Sequence, residues 1–295
     1  MSLLEQQKKL ADRLGTDGSR TDIWSVLSAV LPVDTYLNLG YSRRGWPHVF
    51  GSPQRRLVDR VAKPILSTLR PGSGQQLLDL GAGRGGPAAR LETAHRFDVT
   101  GIELLPSNAA AAAHSEMIPA AAQPEFVAAD MTRLPVAASR FAAATAIDSL
   151  VYVPDKAAAL QELDRVLKPE GVCVVTDLVR SSIAGRPESV FADFTEAWGM
   201  PSLVTTDEYR TTIRGAGFRV VESTDISPHS LDKLSKWARL YLAVIDRQIG
   251  RPLKRGLNRA GLDPAVISSQ IRAAYRALPG LKHVLMRIRP ASSVE

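Results

Sequence analysis

The sequence predicts an α/β protein built on a seven-stranded, mostly parallel sheet with helices on both faces, and three observations carry that expectation. Short apolar runs alternate with helix-like stretches between residues 77 and 175, as β-α units do when their strands are buried on both sides. Turn-forming clusters separate the runs. Two later runs, Val220–Ser223 and His283–Ile288, bring the strand count to seven.

Taken in order, residues 1–30 form a weakly amphipathic lead-in, and Asp34–Gly51 is rich in aromatic residues and glycine. Leu57, Val61, Ile65 and Leu69 recur every four residues, which predicts a helix over Pro53–Leu69 that Pro71-Gly72-Ser73-Gly74 ends. The first five strands are Leu77–Leu80, Val99–Ile102, Phe126–Ala129, Phe141–Ile147 and Val172–Val175. Helices are expected at Arg84–Ala94, Pro106–Met117 and Asp155–Leu167, and a helix-rich stretch, Ser230–Leu278, precedes the last strand. The expected organisation is an N-terminal helical lid over residues 1–70, a core over 71–229, a helical cap insertion over 230–280, and the last strand with its tail over 281–295.

Composition narrows the class. A chain of 295 residues with 45% hydrophobic and 23% charged residues is an ordinary globular one. Cys173 is the single cysteine, which excludes an internal disulfide framework. No apolar run approaches the ~18 residues of a membrane span. The opening MSLLEQQKKL lacks the apolar stretch of a signal peptide. These features give the expectation of a cytoplasmic protein. The net charge of +7 points toward nucleic acid until it is divided along the chain. Residues 230–295 hold 13 basic and 4 acidic side chains, a net of +9, and the remaining 24 basic and 26 acidic residues leave the body at −2.

The segment Leu77–Leu91, LLDLGAGRGGPAARL, runs from a strand through Asp79 into a turn with Gly81, Gly83 and Gly85. Glycines there allow dihedrals closed to other residues and close approach of a nucleotide-like ligand. Acids then close successive strands: Glu103 in VTGIEL, Asp130 in FVAADM and Asp148 in TAIDSL. A carboxylate 20 residues past Gly83 suits paired ribose hydroxyls, and Asp130 suits an exocyclic adenine amine. The carboxyl ends of parallel strands share one edge, so Asp79, Glu103, Asp130 and Asp148 are expected in one cleft.

With LDLGAGRGG, GIEL, AADMTRLP, IDSLVYVPD and LKPEGVCVVTDL in this order, the sequence resembles the class I S-adenosylmethionine-dependent methyltransferases, in the branch of ubiquinone-biosynthesis and sterol C-methyltransferase-like enzymes. The resemblance covers about residues 35–225 and implies a Rossmann-like fold. It implies that Gly81, Gly83 and Gly85 back the methionine part of the cofactor, that Glu103 holds its ribose and Asp130 its adenine, and that Met131 lies against the adenine ring. Tyr41, in NLGY, matches a segment that closes over the cofactor in this branch.

Two other readings of the cleft fare worse. A nicotinamide oxidoreductase would use a Tyr-x-x-x-Lys pair, but Pro154 interrupts Tyr152 and Lys156. A base-modifying RNA methyltransferase would carry a diproline-aromatic turn after the fourth strand, where this chain reads Asp148-Ser149-Leu150-Val151-Tyr152. The expected acceptor is a small, largely apolar metabolite, O-methylated in specialised-metabolite biosynthesis, with C-methylation of an isoprenoid alkene and RNA methylation as alternatives.

A hydroxyl acceptor needs a base. Asp148 stands where sterol-type relatives carry Glu, Tyr152 where many carry His, and Asp177 resembles the acid that supports a base in some sugar O-methyltransferases. His229 and His48 are the candidate imidazoles. Five scattered histidines and one cysteine show no metal-ligand spacing. Phe191, Phe194 and Trp198 share a helical face and, with Met200 and Leu203, are expected either to line an acceptor pocket or simply to pack an added helix. In the late section Leu231, Leu234, Trp237, Tyr241, Val244 and Ile245 form an apolar stripe with Lys236, Arg239 and Arg247 opposite. Such a stripe faces the core or, in a basic helix, a membrane surface.

Overall fold

The computed structural model describes residues 35–43, 52–69, 75–115, 118, 122, 124–182, 185–259 and 262–292. His48 lies outside them, as do the turn at residues 71–74 and the lead-in. Seven strands form one sheet: β1 (Gln76–Leu80), β2 (Asp98–Glu103), β3 (Glu125–Ala128), β4 (Phe141–Ile147), β5 (Leu167–Arg180), β6 (Phe218–Asp225) and β7 (Leu281–Pro290). Their spatial order is β3-β2-β1-β4-β5-β7-β6. The strands β1 to β5 pair in parallel, and β7 runs antiparallel between β5 and β6. The start of β7 therefore lies at the carboxyl edge of its neighbours, with His283 opposite Leu178.

The helices are α1 (Pro53–Thr68), α2 (Gly86–His95), α3 (Pro106–Ala113), α4 (Lys156–Val166), α5 (Glu188–Ala197), α6 (Thr206–Gly215), α7 (Leu231–Ile245), α8 (Arg251–Arg259) and α9 (Pro264–Ala277). Several start from identifiable local chemistry. Pro53 occupies the first turn of α1, where its missing N–H costs nothing. Asp155 caps α4 by accepting from Ala158 N, a contact worth about 1 kcal/mol. Thr205 and Glu208 form a reciprocal capping box on α6.

Two apolar layers hold the sheet. One face carries Leu78, Leu80, Ile102 and Phe141 against Leu160 and Leu163 of α4. The other carries Leu77, Val99 and Val174 against Leu57, Val61 and Ile65 of α1. Full burial of one such side chain stabilises by roughly 1.5–3 kcal/mol.

Three expected elements change. The strand expected at Val172–Val175 is the 14-residue β5, because Leu167 already pairs with Phe141 before the register resumes at Ala143 and Val172. The helix expected to reach Met117 stops at Ala113. The helix-rich stretch before β7 divides into α7, α8 and α9. Its apolar stripe is only partly covered: Leu231 and Ile245 are buried, whereas Trp237 is exposed. No helix among the described residues is long and apolar enough to cross a membrane.

Candidate active site

The glycine turn is held by its neighbours before any ligand is considered. Gly81 N and Ala82 N both donate to Ile102 O, at 2.8 and 2.9 Å. Gly83 N donates to Glu103 Oε2 at 2.9 Å, and Leu105 N to Glu103 Oε1 at 3.0 Å. Gly81 has φ +77°, and a Cβ there would lie 2.4 Å from Ser149 Cβ. At Gly83, with φ +56°, a Cβ would meet Leu37 Cδ1 at 3.2 Å. The turn thus needs glycine for its own packing as well as for an approaching ligand. Burial pushes the Glu103 carboxyl up, against the backbone donors of Leu105 and Gly83 and the Asn108 side chain.

Asp79 is buried, accepts from Thr145 Oγ1 at 2.8 Å through Oδ1, and has an Oδ2 with no partner among the described residues. Burial raises its carboxyl to about 6. Across the turn, Leu37 touches Gly83 and the next residue, Asn38, is buried with an equally unpartnered Nδ2. Its Oδ1 is used by Gly40 N at 3.0 Å. An orphaned buried acceptor and an orphaned buried donor beside one glycine turn are complementary to the ammonium and carboxylate of an amino-acid group. The third acid, Asp130, is half-buried and accepts from Thr132 N at 2.9 Å with Oδ1. Met131 lies beside Gly81, its Cε 3.7 Å from the position of a Cβ there.

Residues 35–43 form a strap over this edge. Gly86 N donates to Thr35 O, Tyr41 N to Pro53 O and Arg56 Nε to Tyr41 O. The Tyr41 ring stacks on His229, with centroids 4.4 Å apart and planes 14° apart. His229 Nδ1 lies 2.8 Å from Ser42 O. A carbonyl only accepts, so Nδ1 carries the proton and Nε2 is the basic nitrogen of the neutral ring.

Asp148 is deeper. Its Oδ2 accepts from Leu39 N of the strap at 2.8 Å, and its Oδ1 from Thr176 Oγ1 at 2.7 Å and from His283 Nε2 at 2.8 Å. Although burial alone would raise it, the His283 ring and these donors hold its carboxyl below the usual range. His283 Nδ1 meets Ser230 Oγ at 2.8 Å. Asp148 is therefore a joint between strap, β5 and β7. Sequence reasoning placed Asp148 at the edge but missed His283 as its partner.

Asp177 is also committed to the framework. Val151 N and Leu178 N donate to Oδ1 at 3.1 Å each, and Tyr209 Oη donates to Oδ2 at 3.1 Å. Burial pushes its carboxyl up to about 7, against the nearby Lys156 ammonium. It fixes the short turn Leu150–Tyr152, on which Tyr152 is half-buried. Phe191 and Phe194, 4% and 2% exposed, pack α5 against α9 and the start of β7 with Met200 and Leu203. Trp198, Tyr152, Leu39 and Leu234 are the half-buried fringe of that cluster.

A parallel α/β edge with a glycine turn and acids at successive strand ends defines a cleft for a nucleoside-type cofactor. Comparison with known proteins is more specific. A family model described as a methyltransferase domain matches residues 78–175. An O-methyltransferase of Pyrenophora dematioidea is 34% identical over 173 residues, 58% of this chain and 64% of that protein. An O-methyltransferase of Aspergillus nomiae is 34% identical over 172 residues, 57% of this chain and 75% of that protein. The match with the first of these relatives therefore spans somewhat less than two thirds of its length. The crystal structure of geranyl diphosphate C-methyltransferase from Streptomyces coelicolor shares the fold, with a TM-score of 0.67 at 15% identity over 95% of this chain and 97% of that one. The chain belongs to the class I S-adenosylmethionine-dependent methyltransferases.

Proposed function

We propose that the protein transfers the methyl group of S-adenosylmethionine to a hydroxyl of a small, largely apolar metabolite, with His229 as the base. The observation that carries this reading is the pinned tautomer of His229, which leaves Nε2 basic at the sheet edge beside the strap. The O-methyltransferases among its relatives support an oxygen acceptor.

The residues fit the cofactor as follows. Asp79 Oδ2 takes the α-ammonium and Asn38 Nδ2 the carboxylate of the methionine end, behind which Gly81, Gly83 and Gly85 turn. Glu103, whose oxygens each keep acceptor capacity beside Gly83 N and Leu105 N, would accept from the ribose hydroxyls, Asp130 would accept from the adenine amine, and Met131 would lie against the ring. Tyr41 closes the strap over them. Bound there, the cofactor supplies an electrophilic sulfonium methyl for an in-line displacement.

The remaining work is positioning and proton removal. Tyr152, Trp198, Leu39 and Leu234 present an apolar, half-buried surface to the acceptor. His229 Nε2 would take the proton of the acceptor hydroxyl, and the Nδ1–H···O=C bond to Ser42 would steady the resulting imidazolium. Asp148 and Asp177 act as positioning residues.

Two measurements follow. Labelled methyl incorporation into a panel of phenols and aliphatic alcohols, with the product located by NMR, should give O-methyl ethers. His229→Gln should lower kcat by about 10²–10⁴ while leaving S-adenosylhomocysteine affinity within a few fold. Carbon methylation, or an undiminished kcat, overturns the reading. For Asp79 the sign is fixed by its raised carboxyl: the ligand ammonium selects the ionised form. Affinity for S-adenosylhomocysteine should therefore rise about tenfold per pH unit toward about 6 and level off above it. Calorimetry should show that limb lost in Asp79→Asn; a limb that persists removes Asp79 from the ammonium site.

A further inference from the structure

We infer that the outer face of α7 and α8 is a docking surface for an anionic lipid bilayer. Four large apolar side chains stand in solvent along this stretch: Trp237 at 41%, Leu240 at 54%, Ile249 at 72% and Leu253 at 38% exposure. Leu231 and Ile245 of α7 and Leu257 of α8 are buried, with Leu234 and Tyr241 partly covered beside them. On α7, Trp237 and Leu240 are three residues apart and Lys236 lies four before Leu240, so the three share one outward arc. Ile249 lies in the short turn Gln248–Gly250 between the two helices, and Leu253 in the first turn of α8.

The charges on this face are predominantly basic. Lys236, Arg239, Arg247, Arg251 and Arg255 are exposed. Residues 231–259 hold eight basic side chains and two acidic ones, Asp232 and Asp246, and Asp246 is paired with Arg272. The +9 excess of the C-terminal section is thus concentrated where apolar side chains are uncovered.

A bilayer surface satisfies both features together. Apolar side chains of an interfacial helix rest at the acyl boundary while Lys and Arg reach lipid phosphates, and Trp prefers that depth. Each basic residue near an anionic leaflet strengthens binding by about fivefold. An acidic protein would match the charge but leave Ile249 and Leu240 without a reason to be uncovered. The inference rests on this face alone and is independent of which acceptor is methylated.

The test is co-sedimentation of the full chain with vesicles containing about 30% phosphatidylserine in phosphatidylcholine, compared with pure phosphatidylcholine, at ~0.1 M salt. The wild type should pellet with the anionic vesicles, and raising salt to ~0.5 M should release most of it. Trp237→Glu with Ile249→Glu should abolish pelleting, and Arg251→Gln with Arg255→Gln should weaken it about thirtyfold. Circular dichroism and S-adenosylhomocysteine binding should be unchanged in both variants, which separates lost docking from lost fold. No pelleting by the wild type, equal pelleting with neutral vesicles, or full pelleting by the folded variants overturns the inference. So does a solution dimer that Ile249→Glu dissociates in a chain that ignores vesicles, because the face would then join two copies.

Discussion

Glu103→Ala should weaken S-adenosylhomocysteine binding by about 10²–10⁴ without unfolding the protein. The carboxylate is the acceptor at the end of β2, and two hydrogen bonds from ribose hydroxyls to a charged group are worth about 1.5–3 kcal/mol each. Together they amount to ~3–6 kcal/mol, which is two to four decades in affinity. The structure adds a second cost. Gly83 N and Leu105 N both donate to Glu103, so the alanine variant leaves the glycine turn with two unpaired N–H groups. The turn is still anchored through Gly81 N and Ala82 N on Ile102 O, which is why the fold should survive. Glu103→Gln keeps one good acceptor and should fall between the two. Titration calorimetry with a thermal melt of each variant checks this; wild-type affinity in a folded Glu103→Ala protein would remove Glu103 from the site.

The parts of the fold that follow from local pattern were legible. Apolar runs separated by turns marked seven strands, and the parallel reading placed Asp79, Glu103, Asp130 and Asp148 along one edge without any long-range information. The antiparallel entry of β7 was not legible, because LKHVLM reads alike in either direction. For that reason His283 passed as a residue of a strand, although it meets Asp148 across 135 positions of chain. The orphaned Nδ2 of Asn38 was equally hidden: an asparagine in a loop carries no mark of burial. Phe191 and Phe194 were ambiguous for a different reason. A helical face of aromatics looks the same whether it lines a pocket or a core, and only the packing of α9 and β7 places both inside. The basic charge was legible as a section of sequence, but its coincidence with uncovered apolar side chains depends on which face of α7 the sheet leaves free.

Asp148→Ala should destabilise the protein by about 3–5 kcal/mol, because it takes a buried carboxylate acceptor away from three hydrogen-bond donors at once, and leaving a buried donor unsatisfied is costly. His283 is fully buried, and its Nε2 proton would face no acceptor. Leu39 N and Thr176 Oγ1 lose their acceptor in the same step, so the cost falls on the strap and β5 as well as on β7. Asp148 also sits at φ +53°, a conformation that Asp and Asn tolerate better than alanine. Asp148→Asn keeps that tolerance and one carbonyl acceptor, and should recover part of the loss. The pH dependence separates this account from simple misfolding. Since the folded-state carboxyl is held below its unfolded value of ~3.9, its contribution is present above that pH and is lost as pH falls through the folded value. The gap in denaturant stability between wild type and Asp148→Asn should therefore be widest near neutrality and narrow below about pH 4. A gap that stays constant into acid would mean that the Asp148 charge contributes nothing, and that shape alone holds the strap to the sheet.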